Sequence, residues 1–234
     1  MQAVILAGGK GTRLEPFTTE IPKPLVPLAG KPIIEILLTC LKKHGVDEAF
    51  ICVNHLAHLI AAVLDDGTRL GLKIKYSLED TPLSTVAPLK LLDGLDDNFI
   101  VANGDILTDL DFARLYKHHT DSKAALTVAT HRRLNQIDYG VLETDGEGHV
   151  TGFREKPVYD FTVSMGIYVF SRRVLDLVPD KKPFGFDGLM YMLLEEKEPI
   201  STYPYDGYWM DIGRPDDYEQ AKEDLQNHPG LMES

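Results

Sequence analysis

The run LAGGKGTRLEPFTTEIPKPLVP at residues 6–27 follows an apolar, β-branched stretch and opens with a glycine-rich turn. Glycines let a backbone approach a ligand closely and adopt positive φ angles that side chains resist. Backbone N–H groups exposed in such a turn, followed by the cations Arg13 and Lys23, favour the binding of phosphate groups. An ordinary glycine turn between a strand and a helix is the alternative interpretation.

Two known phosphate-binding motifs can be excluded for this loop. The dinucleotide-binding fingerprint needs a third glycine three residues after its second, and the chain has Leu14 there. A Walker A loop closes on Gly-Lys-Ser/Thr, whereas the order here is Lys10-Gly11-Thr12. The loop therefore belongs to neither class.

Length and charge limit the classes of protein and partner. A chain of 234 residues suits one sizeable domain with a proper core. Its formal net charge of −12 argues against general binding to nucleic acid or to anionic membranes. Anionic ligands would then have to be received by local cations and a metal ion.

The cysteines and the N-terminus indicate a cellular setting. Cys40 and Cys52 each lie inside an apolar run, which favours buried, reduced thiols over a disulfide. The N-terminus shows no basic segment followed by an apolar stretch, and no apolar run reaches membrane-spanning length. We expect a cytoplasmic, reducing environment.

Strands and helices alternate in the first half of the chain. The expected strands are residues 2–6, 48–53, 72–76 and 99–102, and the expected helices are 33–44, 55–64 and part of 82–92. This alternation predicts a mostly parallel sheet covered on both faces. Ligands bind beyond the carboxyl ends of such strands, so the glycine loop and Asp105, which both follow strands, should lie together.

The second half of the chain predicts strands with short connections. The expected strands are 124–130, 139–144, 149–153 and 163–170, with helices at 185–195 and 215–226. Residues 145–148, Asp-Gly-Glu-Gly, predict a hairpin turn. His118 and His119 are expected near a helix end, where they could interact with its dipole. Residues 227–234 are expected to fray.

Several motifs occur together in a characteristic order. They are GGKGTRLEPFTTEIPKPLVPLAGKPII at 8–34, NGD at 103–105, YGVLE at 139–143, FREKP at 153–157, MGIYVF at 165–170 and YWMDIGRPDDY at 208–218. Over nearly its whole length the chain closely resembles the sugar-1-phosphate nucleotidyltransferases, also called nucleoside-diphosphate-sugar pyrophosphorylases. The resemblance implies an α/β, Rossmann-like three-layer nucleotidyltransferase fold with a mixed, mostly parallel sheet and a small α+β sugar-binding portion. It implies a single domain over 1–234, with a nucleotide-binding half at 1–123 and a sugar-phosphate-binding half at 124–234.

The resemblance also implies a reaction. A sugar-phosphate oxygen attacks the α-phosphorus of a nucleoside triphosphate in line, and pyrophosphate leaves. This nucleophile is already an anion, so alignment and charge neutralisation are needed rather than a general base. By resemblance, Asp105 and Asp211 hold Mg²⁺, while Arg13 and Lys23 are the catalytic cations on the triphosphate. For each aspartate, a turn or helix-start residue is the alternative interpretation.

Two further groups of residues are assigned by the resemblance. The expected nucleotide-binding residues are Leu6, Gly8, Gly9, Gly11, Thr12, Thr85 and Gly104. The expected sugar-phosphate-binding residues are Tyr139, Gly140, Glu155, Lys156, Ser164 and Gly166. A plain strand start at Tyr139 and a surface ion pair at Glu155 are the alternatives.

The chain departs from the family pattern at two places. Relatives carry a glycine-rich stretch beside the nucleotide base, whereas this chain has Ser84 and Ala87 at glycine positions, followed by Pro88. The added Cβ atoms should narrow the base pocket or move the loop. Ser164 replaces an asparagine that faces the sugar in many relatives, which weakens any inference about sugar identity.

Several functions follow from these patterns. The leading hypothesis is a Mg²⁺-dependent transferase that uses GTP and a mannose- or heptose-1-phosphate, because the motifs look most similar to that guanylyltransferase branch. Thymidylyl-, uridylyl- or cytidylyltransferases of the same fold, including a phosphocholine type, are alternatives. A catalytically silent regulatory subunit that binds nucleotide sugars is another. We expect no nucleic-acid or membrane partner, and a homo-oligomer is one assembly the sequence permits.

Overall fold

The computed structural model describes residues 1–9, 11–79, 81–180, 182–227 and 229–232. Within them the strands are β1 (Gln2–Leu6), β2 (Pro27–Leu28), β3 (Lys31–Pro32), β4 (Glu48–Val53), β5 (Lys73–Leu78), β6 (Asn98–Asn103), β7 (Ile106–Thr108), β8 (Leu126–Gln136), β9 (Val141–Thr144), β10 (Val150–Arg154), β11 (Val158–Ser171), β12 (Ile200–Pro204) and β13 (Trp209–Asp211). The α-helices are α1 (Ile33–Lys43), α2 (Ala57–Leu64), α3 (Phe112–Ser122), α4 (Phe186–Glu195) and α5 (Pro215–Asn227). None of the helices in the described part of the chain is long and apolar enough to cross a bilayer.

Seven strands form one central sheet in the order β12-β8-β11-β6-β1-β4-β5. Strand β11 runs antiparallel to its neighbours β6 and β8, and the other adjacent pairs are parallel. The predicted mixed, mostly parallel sheet is therefore confirmed. Because β8, β11 and β12 come from the second half of the sequence, the sheet runs through both halves of the chain.

The sheet is covered on both faces, which gives three layers. Alternate residues of β1 point to opposite sides, so that Ala3 and Ile5 join one buried cluster and Val4 joins another. The first cluster contains buried side chains of α1, α2 and α3, and the second contains those of α4. A strand buried on both faces must be apolar along its length, as β1 is.

The helix predicted at residues 33–44 is observed as Ile33–Lys43. Its fully apolar face, which includes Ile34, Leu37 and Leu41, packs onto the sheet. Gly45 follows the helix at φ 87°, a left-handed conformation that ends a helix without a Cβ penalty. The periodicity of the sequence was therefore sufficient to predict this element.

A third buried cluster joins both ends of the chain. Leu14 from the segment after the glycine loop packs with Ile212, Leu225 and Leu231. Leu231 is buried, so the expected fraying of residues 227–234 is wrong at this position. Residues 228, 233 and 234 of that segment lie outside the described part of the chain.

Residues 131–164, here called the arm, project from the sheet. The outer halves of β8 and β11 pair with each other there, and the β9–β10 hairpin lies between them in sequence. The predicted hairpin turn is confirmed, with the Asp145 N–H donating to the His149 carbonyl at 3.0 Å. No residue of the arm is buried. The arm therefore contributes no buried side chain to the core.

Candidate active site

The carboxyl ends of β1 and β6 lie side by side. Leu6 pairs with Asn103 in parallel register, and the Gly104 N–H donates to the Leu6 carbonyl at 3.0 Å. The glycine loop follows the first strand, and Asp105 follows the second. The general rule for parallel sheets therefore brings these two segments to one edge.

A cavity of about 410 Å³ opens at this edge and is here called the glycine-loop cavity. Each residue expected to bind nucleotide lines it: Leu6, Gly8, Gly9, Gly11, Thr12, Thr85 and Gly104. The catalytic candidates Arg13 and Lys23 and the metal candidate Asp105 line it as well. The glycine loop thus forms a wall of a cavity together with two cations and a carboxylate.

Gly11 illustrates why this loop needs glycine. Its backbone is left-handed, with φ 67°. A Cβ atom there would lie 3.0 Å from the Cβ of Lys23 and 3.1 Å from the Cγ2 of Thr18. A larger residue would strain the backbone and displace Lys23, so Gly11 sets the position of the cation.

Lys23 joins the two predicted metal ligands. Its ammonium group forms an ion pair with Asp105 and lies 3.8 Å from Asp211. Strands β7 and β13 bring these aspartates together, because Asp211 pairs with Ile106 and the Ile212 N–H donates to the Asp105 carbonyl at 3.1 Å. Two carboxylates from distant parts of the sequence therefore share one cation beside the glycine-loop cavity.

The two aspartates, Asp105 and Asp211, lie in different electrostatic environments. Burial, and then the negative charge of Asp105, raise the pKa of Asp211, while Lys23 and Arg13 lower it. The Oδ1 atom of Asp105 is buried and has no hydrogen-bond partner among the described residues. A buried carboxylate oxygen without a donor, facing a second carboxylate, is a donor set suited to a hard cation.

The protein alone supplies few ligands for such an ion. Within the described ranges no group of three or more His, Cys, Asp or Glu residues could hold a metal. Mg²⁺ commonly takes one or two carboxylates and completes its coordination with substrate phosphates and water. The residues Asp105 and Asp211 therefore fit Mg²⁺ bound together with phosphates better than a metal held by protein alone.

A second cavity of about 510 Å³ adjoins the first and is here called the arginine cavity. Arg13 and Gly213 line both cavities. The lining of the arginine cavity also includes Asp211 and the residues His131, Arg132, Arg133, Leu134, Trp209, Met210, Arg214 and Asp217. Asp211 therefore lies at the wall of the arginine cavity while facing Lys23 of the glycine-loop cavity.

The residues expected to bind the sugar phosphate lie on or near the arm. None of Tyr139, Gly140, Glu155 and Lys156 is among the described residues that line the two cavities. Gly140 and Glu155 are close, since a Cβ on the glycine would be 3.4 Å from the Glu155 Oε2 atom. Tyr139 is 78% exposed. These residues therefore form a group apart from the aspartates in this conformation.

Ser164 and Gly166 lie at the base of the arm. The Ser164 hydroxyl donates to the Tyr168 hydroxyl at 3.2 Å and accepts the Gly166 N–H at 3.3 Å. Gly166 has φ 71°, and a Cβ there would be 2.6 Å from the Nδ2 atom of Asn103, which lines the glycine-loop cavity. These two residues therefore lie directly behind that cavity.

Glu79 is a residue of the cavity that the sequence analysis did not single out. It follows β5, is 7% exposed and lines the glycine-loop cavity. Its Oε2 atom accepts the Leu83 N–H at 2.9 Å, while its Oε1 atom lies over Gly8. Burial raises the pKa of Glu79. The rule that ligands bind beyond strand ends could have found this residue, because β5 is parallel to β4.

The loop with Ser84 and Ala87 at family glycine positions was expected to narrow the base pocket or to move. It differs from this expectation at Ala87. Ser84 lines the glycine-loop cavity and keeps a left-handed backbone with φ 69°, as a glycine would. Ala87 does not line this cavity in the described structure. It is buried in the second core cluster, so its Cβ does not narrow the site. Thr85 holds the loop in place, since its hydroxyl accepts the Phe186 N–H at 2.9 Å.

Comparisons with known proteins identify the family of the chain. The family model described as "Nucleotidyl transferase" matches residues 2–228. The chain is 36% identical over 241 residues to a UTP–glucose-1-phosphate uridylyltransferase of Synechocystis sp., covering 94% of this chain and 62% of that protein. It is 33% identical over 232 residues to a mannose-1-phosphate guanylyltransferase of Mycobacterium tuberculosis, covering 96% and 64%. The chain thus spans less than two thirds of the length of these curated relatives.

Solved structures match over almost their full length. HddC from Yersinia pseudotuberculosis superposes with a TM-score of 0.74 at 29% identity, covering 96% of this chain and 99% of that one. HddC complexed with GMP-PN gives the same TM-score at 27% identity and the same coverage. A Bacillus anthracis structure in complex with sucrose, 21% identical with a TM-score of 0.76 and coverage of 97% and 96%, shares the fold alone.

Proposed function

The chain belongs to the nucleotidyl transferase family, and from that premise we propose that it transfers a nucleoside monophosphate from a nucleoside triphosphate to a sugar 1-phosphate. The products are a nucleoside-diphosphate sugar and pyrophosphate. The observation that carries the proposal is the meeting of Lys23, Asp105 and Asp211 beside the glycine-loop cavity.

The proposed reaction is an in-line displacement at phosphorus. An oxygen of the sugar 1-phosphate bonds to the α-phosphorus as the bond to the bridging oxygen of the pyrophosphate breaks, and both bonding electrons leave with pyrophosphate. The attacking oxygen is anionic at neutral pH, so no side chain has to remove a proton. The protein must align two phosphate groups and offset their mutual repulsion.

Particular residues supply that alignment in the proposal. Backbone N–H groups of the glycine loop receive phosphate oxygens, and the Arg13 guanidinium can span two of them. Lys23 adds a point charge whose position is set by Gly11 and by its ion pair with Asp105. Asp105 and Asp211 would hold Mg²⁺, which when bound would offset phosphate charge as a Lewis acid.

We propose GTP as the nucleotide donor because of Glu79. The edge of guanine carries two adjacent N–H donors, at N1 and N2, which match the two oxygens of one carboxylate. Uracil offers a single N–H between two carbonyl oxygens, and these would repel a carboxylate. The mannose-1-phosphate guanylyltransferase relative and the HddC complex with GMP-PN support the same choice. We propose mannose- or heptose-type sugar phosphates as the first acceptors to test.

A matrix of nucleoside triphosphates against sugar 1-phosphates, followed by pyrophosphate release with Mg²⁺, tests the proposal. We expect turnover with GTP to exceed that with UTP, CTP or dTTP by at least about tenfold, the effect of one lost charged hydrogen bond. Failure of all combinations to release pyrophosphate would contradict the transferase assignment. Preference for another base would contradict only the role of Glu79.

The variant Glu79→Gln isolates the choice of base. Glutamine has the same shape, but one of its two polar atoms donates rather than accepts, so one guanine contact is lost. We expect kcat/KM for GTP to fall by about 10–100-fold, which corresponds to roughly 1.4–2.8 kcal/mol. Glu147→Gln is the matched control, since Glu147 lies on the exposed hairpin turn of the arm and should leave kcat/KM unchanged. Equal losses for GTP and UTP in Glu79→Gln would show that Glu79 only supports the loop.

A catalytically silent nucleotide-sugar sensor is the second candidate. The observation that favours it is Ser84, which holds a conformation suited to glycine at the wall of the glycine-loop cavity. Nucleotide-sugar binding without pyrophosphate release would support this function, and measurable turnover would exclude it.

A further inference from the structure

The arginine cavity contains more positive charge than a single acceptor phosphate requires. Four arginines, Arg13, Arg132, Arg133 and Arg214, line it. The chain as a whole has a net charge of −12, so this concentration of cations is local. A cluster of guanidinium groups in a cavity points to anionic groups on the ligand.

Protein carboxylates leave most of these cations unpaired. The Arg132 guanidinium binds Asp160 at 2.7 and 2.8 Å. For the side chains of Arg13, Arg133 and Arg214, no ion pair or hydrogen bond is found within the described ranges of the chain. Three guanidinium groups therefore remain available to a ligand.

The two acidic residues that line the same cavity, Asp211 and Asp217, offset the charge of these arginines only in part. Asp217 accepts the backbone N–H groups of Gly213 and Arg214 at 3.1 and 2.8 Å, which caps the start of α5. Asp211 faces Lys23 at the other cavity. Asp217 is thus occupied by backbone N–H groups, and Asp211 interacts with Lys23 and Arg13 but forms no ion pair with Arg133 or Arg214 among the described residues.

The unpaired arginines are distributed along the proposed path of the reaction. Arg13 lines both cavities and so lies where the triphosphate would meet the acceptor. Arg214 comes three residues after Asp211, at the start of α5. The position of Arg13 suits binding of the triphosphate, and that of Arg214 suits binding of the acceptor phosphate.

Arg133 lines the arginine cavity from the outer half of β8, on the arm. His131 is fixed at the base of the arm, since its Nδ1 atom lies 2.8 Å from the Tyr205 carbonyl and its ring is 5.4 Å from that of Trp209. Arg133 is two residues further out along β8, on the same face of the strand and about 7 Å away along its axis. Its backbone therefore lies further out along the arm than His131, on a different element from Arg13 and Arg214.

We propose that the acceptor carries a second anionic group besides its 1-phosphate, and that Arg133 receives this group. The proposal rests on the sugar-1-phosphate transferase function proposed above and narrows its substrate class. The second group is a carboxylate or a phosphate, as in a uronic acid 1-phosphate or a sugar bisphosphate. Arginine can bind either group through two parallel N–H···O bonds.

The test compares acceptors that differ only in this group. Glucose and mannose are each supplied as the 1-phosphate, the 1,6-bisphosphate and the corresponding uronic acid 1-phosphate. Binding is measured by calorimetry with a non-hydrolysable GTP analogue, and kcat/KM by pyrophosphate release. We expect at least one series with a second anionic group to exceed the simple sugar 1-phosphate tenfold or more in both readouts, and the better series identifies carboxylate or phosphate.

The variant Arg133→Gln tests whether Arg133 causes the preference for a second anionic group. We expect Arg133→Gln to lower kcat/KM tenfold or more for the preferred acceptor. For the simple sugar 1-phosphate, which lacks the second anionic group, kcat/KM should change less than twofold. Arg114→Gln is the matched control, because Arg114 is an exposed arginine of α3 that lines neither cavity, and we expect both acceptors to be unaffected. Thermal melts check that each variant is folded.

Two results would overturn the inference. One is equal binding of acceptors with and without the second anionic group, and the other is an equal loss for both classes in Arg133→Gln. Absence of pyrophosphate with every acceptor would contradict the proposed function instead, and the calorimetric comparison would still decide the acceptor class.

Discussion

Asp105 and Asp211 both lie near the Lys23 ammonium group, but their side chains are buried to different extents. The side chains of Lys23 and Asp105 are 10% and 21% exposed, whereas that of Asp211 is 46% exposed. The Lys23–Asp105 ion pair is therefore the more buried of the two contacts, so removing one partner would leave a buried unpaired charge. Asp211 opposes folding at neutral pH, since its raised pKa means that the folded state disfavours its charge.

We predict that Asp211→Asn separates activity from stability. The amide removes a negative charge that burial and Asp105 disfavour, so the free energy of unfolding at pH 7 should stay equal or rise. Turnover should fall by about 100-fold or more, because a metal ligand close to the reacting phosphates is lost. Urea unfolding and pyrophosphate release measure the two effects. A clear loss of stability would show that Asp211 supports the fold.

We predict the opposite balance for Asp105→Asn. The variant leaves Lys23 without its nearest partner in a site where the ammonium is largely buried. Breaking such a pair costs about 3 kcal/mol, so the midpoint of urea unfolding should fall markedly. The double variant Lys23→Met/Asp105→Asn should recover part of the loss, because it leaves no buried unpaired charge. No recovery would mean that the loss does not come from an unpaired Lys23 ammonium, and would contradict this explanation.

At the scale of secondary-structure elements, the sequence predicted the apolar strands well. Strands β1 and β4 have the expected bounds because each is a short apolar run buried on both faces. Strands β7 and β13 were not predicted, since each has three residues and its partner lies about 100 positions away. The pairing that joins Asp105 to Asp211 is therefore visible only in the folded chain.

The segment expected to be helical in part, residues 82–92, forms only a short 3-10 helix at Ala87–Leu91. Pro88 is compatible with its first turn, but Ser84 just before it has a left-handed backbone. A left-handed residue other than glycine interrupts a helix and costs roughly 1–2 kcal/mol. The glycine pattern of the relatives therefore carried information about backbone conformation that helical periodicity did not.

We predict that Ser84→Gly stabilises the protein. Glycine adopts φ 69° without the Cβ penalty, although it also makes the unfolded chain more flexible. The net gain should be about 0.5–1 kcal/mol in urea unfolding. Ser84→Ala is the control, since alanine keeps the Cβ and should bring no gain. A stabilisation by alanine as large as that by glycine would contradict the strain argument.

At the scale of the whole molecule, one half of the site could be predicted and the other could not. The predicted nucleotide-binding residues line one cavity because they follow neighbouring parallel strands. The arginine cavity draws Arg13 from a loop, Arg133 from the arm and Arg214 from the start of α5. No local pattern links these three residues, so only the folded chain brings them together.

His119 joins both halves of the molecule through a buried polar network. Its side chain is 1% exposed, with Nδ1 lying 2.8 Å from the Thr127 hydroxyl and Nε2 lying 3.1 and 3.2 Å from Asn98 and Ser171. These partners belong to β8, β6 and β11, so the histidine of α3 links the sheet strands of the two halves. Its expected role at a helix end is replaced by this network. Burial is the main reason that the pKa of His119 falls from 6.5 to about 4.

We predict that this histidine makes stability depend on pH in a defined window. Above pH 6.5 neither the folded nor the unfolded state protonates it, and its contribution to stability is fully present. As the pH falls from 6.5 to about 4, the unfolded state takes up a proton that the folded state excludes, which lowers the free energy of unfolding by about 3 kcal/mol in total. Urea unfolding at pH 7.5 and pH 5.0 should therefore differ by about 2 kcal/mol more in the wild type than in His119→Gln. His149→Gln is the control, because it removes an exposed histidine of the arm, and it should retain the wild-type difference in unfolding free energy between the two pH values. If both variants reduced that difference equally, the pH effect would come from surface histidines rather than from the network that joins the two halves.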